Sequence, residues 1–197
     1  MIRRGAGALI AMSLTACAAR GHIATPGEVA LLENTGGLSS AGRITLEGPK
    51  GKFSARVVFG VARPDSLRIE IPAGTGLRFL LVAKGGRLRA DLPGDDAMYE
   101  GPATTEVMNG LFGIALTPSD LVGAILGSPP ESLSVSWRFD RSLPAQTSIR
   151  GANDTRLTLS LDEPEVRSPT PQAFDFGPPR ARAWSLREMS DRLGLTR

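Results

Sequence analysis

Apolar and polar residues alternate along several short stretches of this chain, which is typical of strands with one buried face. Between Gly42 and Glu47, for example, Ile44 and Leu46 alternate with charged or hydroxyl side chains. Similar patterns occur at 53–59, 67–71, 77–83, 88–92, 133–139 and 157–161. Turn sequences such as "GPKG" and "KGG" separate these stretches. The pattern predicts an antiparallel sheet with one apolar face, which another layer or a ligand must cover.

Helix signals occur between and beside the predicted strands. "TPGE" from Thr25 and "TPSD" from Thr117 each combine an N-cap threonine, a proline at the first helical position and an acid at N3. Residues 104–112 carry apolar residues at helical spacing, and "SLRE" from Ser185 has the form of a capping box. Residues 104–127 therefore predict two short, very apolar helices, placed to form a lid on the sheet.

The first residues have the pattern of a bacterial lipoprotein signal. Arg3 and Arg4 precede a short apolar run, and "LTAC" then ends at Cys17, the single cysteine of the chain. "LTAC" resembles a lipobox, which implies that residues 1–16 are removed and that Cys17 is acylated. The alternatives are an ordinary secretory signal with an incidental cysteine, or a free buried thiol.

The expected domain organisation follows from these patterns. After a signal peptide at 1–16, a lipidated tether and short helix should occupy 17–41. A sheet domain should cover 42–179, with its lid at about 104–127, and a C-terminal helix should occupy 180–197. Five prolines within 163–179 predict an extended loop or edge segment.

Charge and residue content argue against several classes of function. Removal of residues 1–16 takes two of the 23 basic residues and leaves 21 against 20 acidic ones, a formal charge of +1 in place of +3. A nucleic-acid partner is therefore not expected. His22 is the single histidine, and we find no metal-ligand motif or cofactor motif. Asp95 and Asp96 could be paired carboxylates, but "PGDD" is an ordinary turn composition. We predict a protein that is not an enzyme.

The stretch 42–127 resembles the LolA and LolB family of lipoprotein carriers and outer-membrane receptors. The resemblance is carried by "GRITLEG", by "SLRIEIPAGTGLRFLLVAKGGRLRADLPGD" and by "TTEVMNGLFGIALTPSDLVGAILGSPPE". "AFDFGPP", near the C-terminus, is similar to the family's terminal segment. The resemblance implies an α+β fold in which helices cover an open antiparallel half-barrel, with an apolar cavity for acyl chains.

On this resemblance we expect binding of lipid or lipoprotein acyl chains, for lipoprotein localisation or lipid transport. Ala18 differs from the aspartate that retains bacterial lipoproteins at the inner membrane, which implies anchoring in the outer membrane, facing the periplasm. We also expect a monomer. A periplasmic carrier protein is a further candidate partner. The expected cavity residues are Phe53, Val57, Phe59, Leu67, Ile69, Phe79, Leu81, Leu111, Ile125, Trp137 and Phe139.

The sequence departs from the family's pattern at one position of the expected membrane-facing loop, Pro72-Ala73-Gly74. The family's receptor places an exposed leucine where this chain has Ala73. The insertion of cargo into a membrane therefore does not follow from the resemblance, whereas binding in a cavity does. Alternation alone also fits a solid core, so a structural or assembly-factor lipoprotein that binds a protein partner stays open as an alternative.

Overall fold

The computed structural model describes residues 21–48, 51–74, 76–151 and 155–193. In this part of the chain, eleven strands form one sheet and four α-helices pack on it. The strands are β1 (His22–Ile23), β2 (Gly37–Gly48), β3 (Gly51–Ala62), β4 (Ser66–Ala73), β5 (Gly76–Lys84), β6 (Arg87–Leu92), β7 (Ala97–Pro102), β8 (Ser134–Asp140), β9 (Leu143–Arg150), β10 (Arg156–Glu165) and β11 (Arg182–Ala183). The helices are α1 (Pro26–Glu33), α2 (Thr105–Phe112), α3 (Pro118–Ile125) and α4 (Leu186–Leu193).

The sheet is open, because its two edge strands do not pair with each other. Its order is β1-β8-β9-β10-β2-β3-β4-β5-β6-β7-β11. Every neighbouring pair is antiparallel except β11, which runs parallel to β7. The prediction of a wholly antiparallel sheet is therefore wrong at this edge. The cause is the long connection after β10, which crosses the sheet and returns the chain beside β7 in the same direction.

The alternating apolar residues lie on one face of the sheet, here called the inner face. Cross-strand pairs align Phe59 with Ile69, Ile69 with Leu81 and Leu81 with Ala90. All four are buried, and helices α2 and α3 join them in one core. The period of two thus predicted the buried face correctly, since pleating sends alternate side chains to opposite sides.

Two boundaries differ from the predicted ones. Strand β2 begins at Gly37 rather than Gly42, because Gly37 pairs with Ala62 and the fully buried Leu38 continues the alternation. His22 and Ile23 were expected in a tether, yet they form an edge strand beside β8. The additional pairing extends the sheet beyond the stretch that alternation indicates.

Each predicted helix is present, with its capping residues in place. Thr25 and Thr117 accept hydrogen bonds from the N3 backbone amides, and the N3 acids bond back to the caps. Ser185 and Glu188 do the same at the start of α4. Such caps satisfy amides that would otherwise lack partners in the first turn.

Arg63 fixes helix α3 on the inner face. This side chain sits in the turn between β3 and β4, and its Nη2 donates to the carbonyl oxygen of Leu126 at 2.7 Å. Its Nε donates to the carbonyl oxygen of Thr35 at 3.2 Å. Cationic donors suit the exposed carbonyls at a helix C-terminus. Helix α3 is therefore held at the end of the sheet that carries the β3–β4 turn.

The predicted extended segment crosses the opposite, outer face of the sheet. Residues 166–181, here called the strap, place Phe174 on Leu80 and Val82. Arg89 and Asp91 are buried beneath it, and Arg89 donates to Asp91 Oδ1 at 2.8 Å and to the carbonyl oxygen of Pro178 at 2.5 Å. The strap then rounds the β7 edge, and α4 returns to the inner face.

Cys17 and the predicted signal peptide lie outside the described residues. Among the residues that are described, no helix combines the length and the apolar character required to cross a bilayer.

Candidate functional site

A cavity of about 530 Å³ opens at one end of the inner face. The last residues of β2, β4 and β6 lie at this end, since successive strands of an antiparallel sheet run in opposite directions. The C-terminal residues of α2 and α4 lie across the opening, where Phe112 and Leu193 contribute to the lining. The cavity is thus bounded by the sheet on one side and by two helix ends on the other.

The lining is mostly aliphatic and aromatic. Sheet residues supply most of it, and charged groups occur only near the mouth among the described lining residues. The lining comprises Ile44, Leu46, Phe53, Ser54, Ala55, Ile69, Ile71, Ala73, Leu77, Arg78, Phe79, Leu92, Gly94, Asp95, Phe112, Arg192 and Leu193. Such a site suits an apolar chain with a polar group left at the opening.

The region of the inner face beneath α3 is filled by the protein itself. Beneath α3, a void of only about 10 Å³ lies among Val57, Phe59, Leu67 and Ile125. That volume is too small for any part of a chain ligand, whereas a single water needs a comparable space. The two interpretations of the alternating pattern therefore each apply to one half of the sheet: solid core under α3, and open space under α2 and α4.

The eleven expected cavity residues divide between these regions. Three of them, Phe53, Ile69 and Phe79, line the large cavity. The void under α3 is bordered by Val57, Phe59, Leu67, Ile69 and Ile125. Leu81, Leu111 and Phe139 are buried in the core and border neither space.

Trp137 lies elsewhere, in a shallow groove beside α1. Its indole Nε1 donates to the carbonyl oxygen of Ala124 at 2.8 Å, which ties β8 to α3. Trp137 is thus held against α3 by this hydrogen bond and does not reach the cavity, although its residue type would suit either place.

The mouth is closed on one side by an ion pair between α4 and the turn after β6. Arg192 Nε donates to Asp95 Oδ2 at 2.7 Å, and Arg192 Nη2 donates to Asp95 Oδ1 at 3.0 Å. These bonds, with the added positive charge of Arg182, hold the pKa of Asp95 below its ordinary value. A fork of this kind fixes the orientation of both groups. The Asp95–Arg192 ion pair, here called the latch, therefore holds the end of α4 against the turn after β6.

The loop of Pro72, Ala73 and Gly74 lies at the opposite side of the mouth, and all three residues are exposed. Ala73 belongs to the cavity lining. The pairing of β4 with β5 shifts between Ile71 and Pro72, so that Ile71 opposes Phe79 while Pro72 opposes Leu77. Arg78 is the extra residue of this bulge, and it lines the cavity together with both of its neighbours.

Several lining residues lie outside the expected set. Ile71 and Leu77 continue the alternation of neighbouring strands, so the pattern could have included them. Phe112 directly follows Leu111 in the predicted lid helix and reaches the cavity where Leu111 does not. No local signal points to Arg78, Asp95 or Arg192, since their position depends on a bulge and on a contact 97 residues apart in sequence.

The described residues hold no group of three or more His, Cys, Asp or Glu side chains that could bind a metal. Asp95 ends a short 3₁₀ turn, and Asp96 follows in the left-handed region at φ 47°. This confirms that "PGDD" forms a turn. The carboxylate of Asp95 in that turn accepts hydrogen bonds from Arg192 of α4.

The sequence matches no protein-family model and no curated protein. Among solved structures, the chain is similar to a LolA superfamily protein from Nitrosomonas europaea, with 8% identity and a TM-score of 0.43 over 76% of this chain and 96% of that one. It is also similar to an uncharacterised conserved protein from Thermus thermophilus, with 8% identity and a TM-score of 0.41 over 80% and 96%.

A third similar structure comes from Vibrio parahaemolyticus and is described as an outer membrane lipoprotein-sorting protein domain. It shares 9% identity and a TM-score of 0.39 over 87% of this chain and 96% of that one. These similarities concern the path of the backbone alone.

Proposed function

We propose that this protein is an outer-membrane lipoprotein, facing the periplasm, that holds acyl chains of lipids or lipoproteins in the cavity beneath α2 and α4. The observation that carries the proposal is the cavity itself, about 530 Å³ of space beside the closely packed region under α3. Binding and release, without bond chemistry, would then serve lipoprotein localisation or lipid transport.

The size and lining of the cavity support this ligand class. Sites for small apolar ligands usually enclose about 300–1,000 Å³. Each methylene moved from water into such a lining contributes about 0.8 kcal/mol. The mouth lies at a free end of the sheet, where a chain can enter while its polar end stays in water. An acyl chain is therefore the ligand that uses the whole site.

Native mass spectrometry of residues 18–197, purified without detergent, tests the proposal. This segment contains every described residue, including the whole sheet and all four helices. We expect co-purifying lipid as a mass increment that denaturation removes. A lipid-free protein that also fails to take up added lipid would contradict the proposal and favour the alternative of a protein-binding lipoprotein.

A cavity-filling variant locates the bound lipid. Ala55 lines the cavity, so Ala55→Phe should occupy part of the space and reduce the lipid increment. Ala41 lies on the outer face in β2 and is exposed, which makes Ala41→Phe the matched control. Equal lipid loading of the two variants would place the ligand outside the cavity.

The proposed anchor needs a separate test in cells. Cys17→Ser should abolish metabolic labelling with palmitate and move the protein out of the outer-membrane fraction. Ala18→Asp should keep the label but shift the protein towards the inner membrane, as the family resemblance implies. A Cys17→Ser protein that still reaches the outer membrane would contradict lipid anchoring.

The role in membrane insertion is a distinct part of the proposal. Ala73 stands exposed at the mouth, where its methyl group offers a bilayer little apolar area. We therefore propose that the protein binds lipid but transfers it to a membrane only weakly. Ala73→Leu should increase the fraction of bound lipid that is transferred to vesicles, measured by fluorescence dequenching and normalised to the lipid loading of each protein.

A further inference from the structure

The mouth of the cavity has more positive than negative charge. Three charged side chains belong to the described lining: Arg78, Asp95 and Arg192. Both carboxylate oxygens of Asp95 accept hydrogen bonds from Arg192, and Arg182 adds a second positive charge close to Asp95. The one acid is therefore already neutralised. Within the described part of the chain, Arg78 makes no hydrogen bond and no ion pair.

The bulge between β4 and β5 explains why Arg78 faces the mouth. In a regular strand, Leu77 and Phe79 would point to the inner face and Arg78 to the outer face. Here Arg78 is the residue without an opposing partner on β4, since Ile71 opposes Phe79 and Pro72 opposes Leu77. A bulge of this kind turns the extra side chain. All three consecutive residues consequently line the cavity.

The surroundings of Arg78 combine an apolar interior with an open, aqueous rim. Leu77, Ile71 and Phe79 lie on the cavity side, and the residue itself is exposed. A guanidinium presents several N–H donors in a plane, which matches the oxygens of a phosphate or carboxylate. A neutral polar group would gain only a weaker hydrogen bond from this neighbour, and a cationic group would be repelled.

We propose that Arg78 binds the negatively charged head group of an amphiphile whose acyl chain fills the cavity. This inference rests on the proposed function and narrows its ligand class to anionic lipids. The apolar lining supplies most of the affinity, and Arg78 supplies selectivity between head groups. Because the contact is exposed to solvent, we expect about a fivefold preference, the upper end for a solvated ion pair.

Two single-chain lipids with the same myristoyl chain test the inference. Myristoyl lysophosphatidylglycerol carries an anionic phosphate, whereas monomyristoylglycerol is uncharged. Calorimetric titration of residues 18–197, below the micelle concentration, should give a Kd about fivefold lower for the anionic lipid. Arg78→Gln should remove that preference by weakening the anionic lipid alone, and Arg78→Lys should restore part of it.

Arg56→Gln is the matched control. Arg56 is an exposed arginine of β3 that does not belong to the cavity lining, so its loss should leave both affinities unchanged. Inorganic phosphate serves as a third ligand. It should compete with neither lipid, since it has no chain to bury, and displacement of the lipid by phosphate would overturn the assignment to a lipid head group.

The remaining outcomes separate the inference from the function on which it rests. Equal affinities for the two lipids, or an unchanged preference in a folded Arg78→Gln protein, would overturn the role of Arg78 and leave acyl-chain binding intact. Failure of both lipids to bind would overturn acyl-chain binding, and the inference with it. Urea denaturation of each variant shows whether it is folded.

Discussion

The rings of Phe79 and Phe112 meet edge to face, with centroids 5.8 Å apart and planes 83° from each other. Phe79 belongs to the sheet wall and Phe112 to the end of α2, and both line the cavity. Aromatic pairs in this geometry contribute about 0.5–1.5 kcal/mol beyond the area they bury. The pair thus joins the sheet side of the cavity to the end of helix α2 that lies across it.

Phe112→Ala should widen the mouth. We expect a loss of about 2 kcal/mol in the free energy of unfolding, because a half-buried ring is removed, together with faster release of bound lipid. Urea denaturation measures the first effect, and stopped-flow fluorescence of a labelled fatty acid measures the second.

Phe176→Ala provides the comparison for Phe112→Ala. Phe176 is also half-buried, but it packs on the outer face against the cluster of Leu80, Val82 and Phe174. Its loss should lower stability without changing the rate of lipid release. Equal release rates in the two variants would show that Phe112 does not restrict the opening.

Asp95→Asn should loosen the end of α4, because an amide cannot accept both charge-assisted hydrogen bonds from Arg192. Trypsin should then cleave at Arg187 and Arg192 about threefold faster than in the natural protein. Asp96→Asn, one residue further on, is the control, since asparagine tolerates the left-handed backbone found there. Cleavage at the same rate in both variants would argue against the latch.

Acid should release α4 before the sheet unfolds. Hydrogen bonds from Arg192 lower the pKa of Asp95, and hydrogen bonds from the Ser185 side chain and backbone lower the pKa of Glu188. A folded-state pKa below the unfolded value means that the stabilisation is complete above the ordinary pKa, about 4. It is lost as the pH falls through the lowered values.

Trp184 fluorescence reports this acid transition. The residue precedes α4, and its backbone amide donates to the carbonyl oxygen of Met98 at 2.7 Å. In a Trp137→Phe background, its emission should shift to longer wavelength as the pH drops below about 4. Adding Asp95→Asn and Glu188→Gln should abolish that dependence, and its persistence would assign the transition to other groups.

Asp91→Ala should destabilise the fold strongly. Asp91 and Arg89 are both buried beneath the strap, so the substitution leaves a buried guanidinium without its carboxylate. We expect a loss of about 3 kcal/mol in urea denaturation. Glu100→Ala breaks the more exposed pair with Arg87 and should lose less than about 1 kcal/mol. Similar losses from both variants would mean that the strap does not shield the Arg89 pair from water.

Local patterns predicted the parts of this fold whose causes are local. Alternation placed Val57, Phe59 and Ile69 on the buried face, and capping sequences placed the helix starts at Thr25 and Thr117. Strand β9 was not predicted, because its buried positions include Pro144 and the polar Thr147, which interrupt the apolar alternation. It forms by pairing with β8 and β10 on either side.

The position of the cavity was not predictable in the same way. Which half of the inner face stays open depends on where α3 docks, and that depends on hydrogen bonds such as the one from Arg63 to Leu126. The turned side chain of Arg78 depends on the register of two strands. The residue types alone fit a filled core as well as an open one.

The strap and α4 are one continuous stretch of chain, and β11 at the sheet edge joins them. A proteolytic nick within 166–181 would therefore free the helix at the mouth from its tie to the outer surface, while the ten strands from β1 to β10 keep their own pairings. A cut on the outer face would thus affect the opening on the inner face, and a nicked protein would retain its sheet but release the proposed lipid ligand faster.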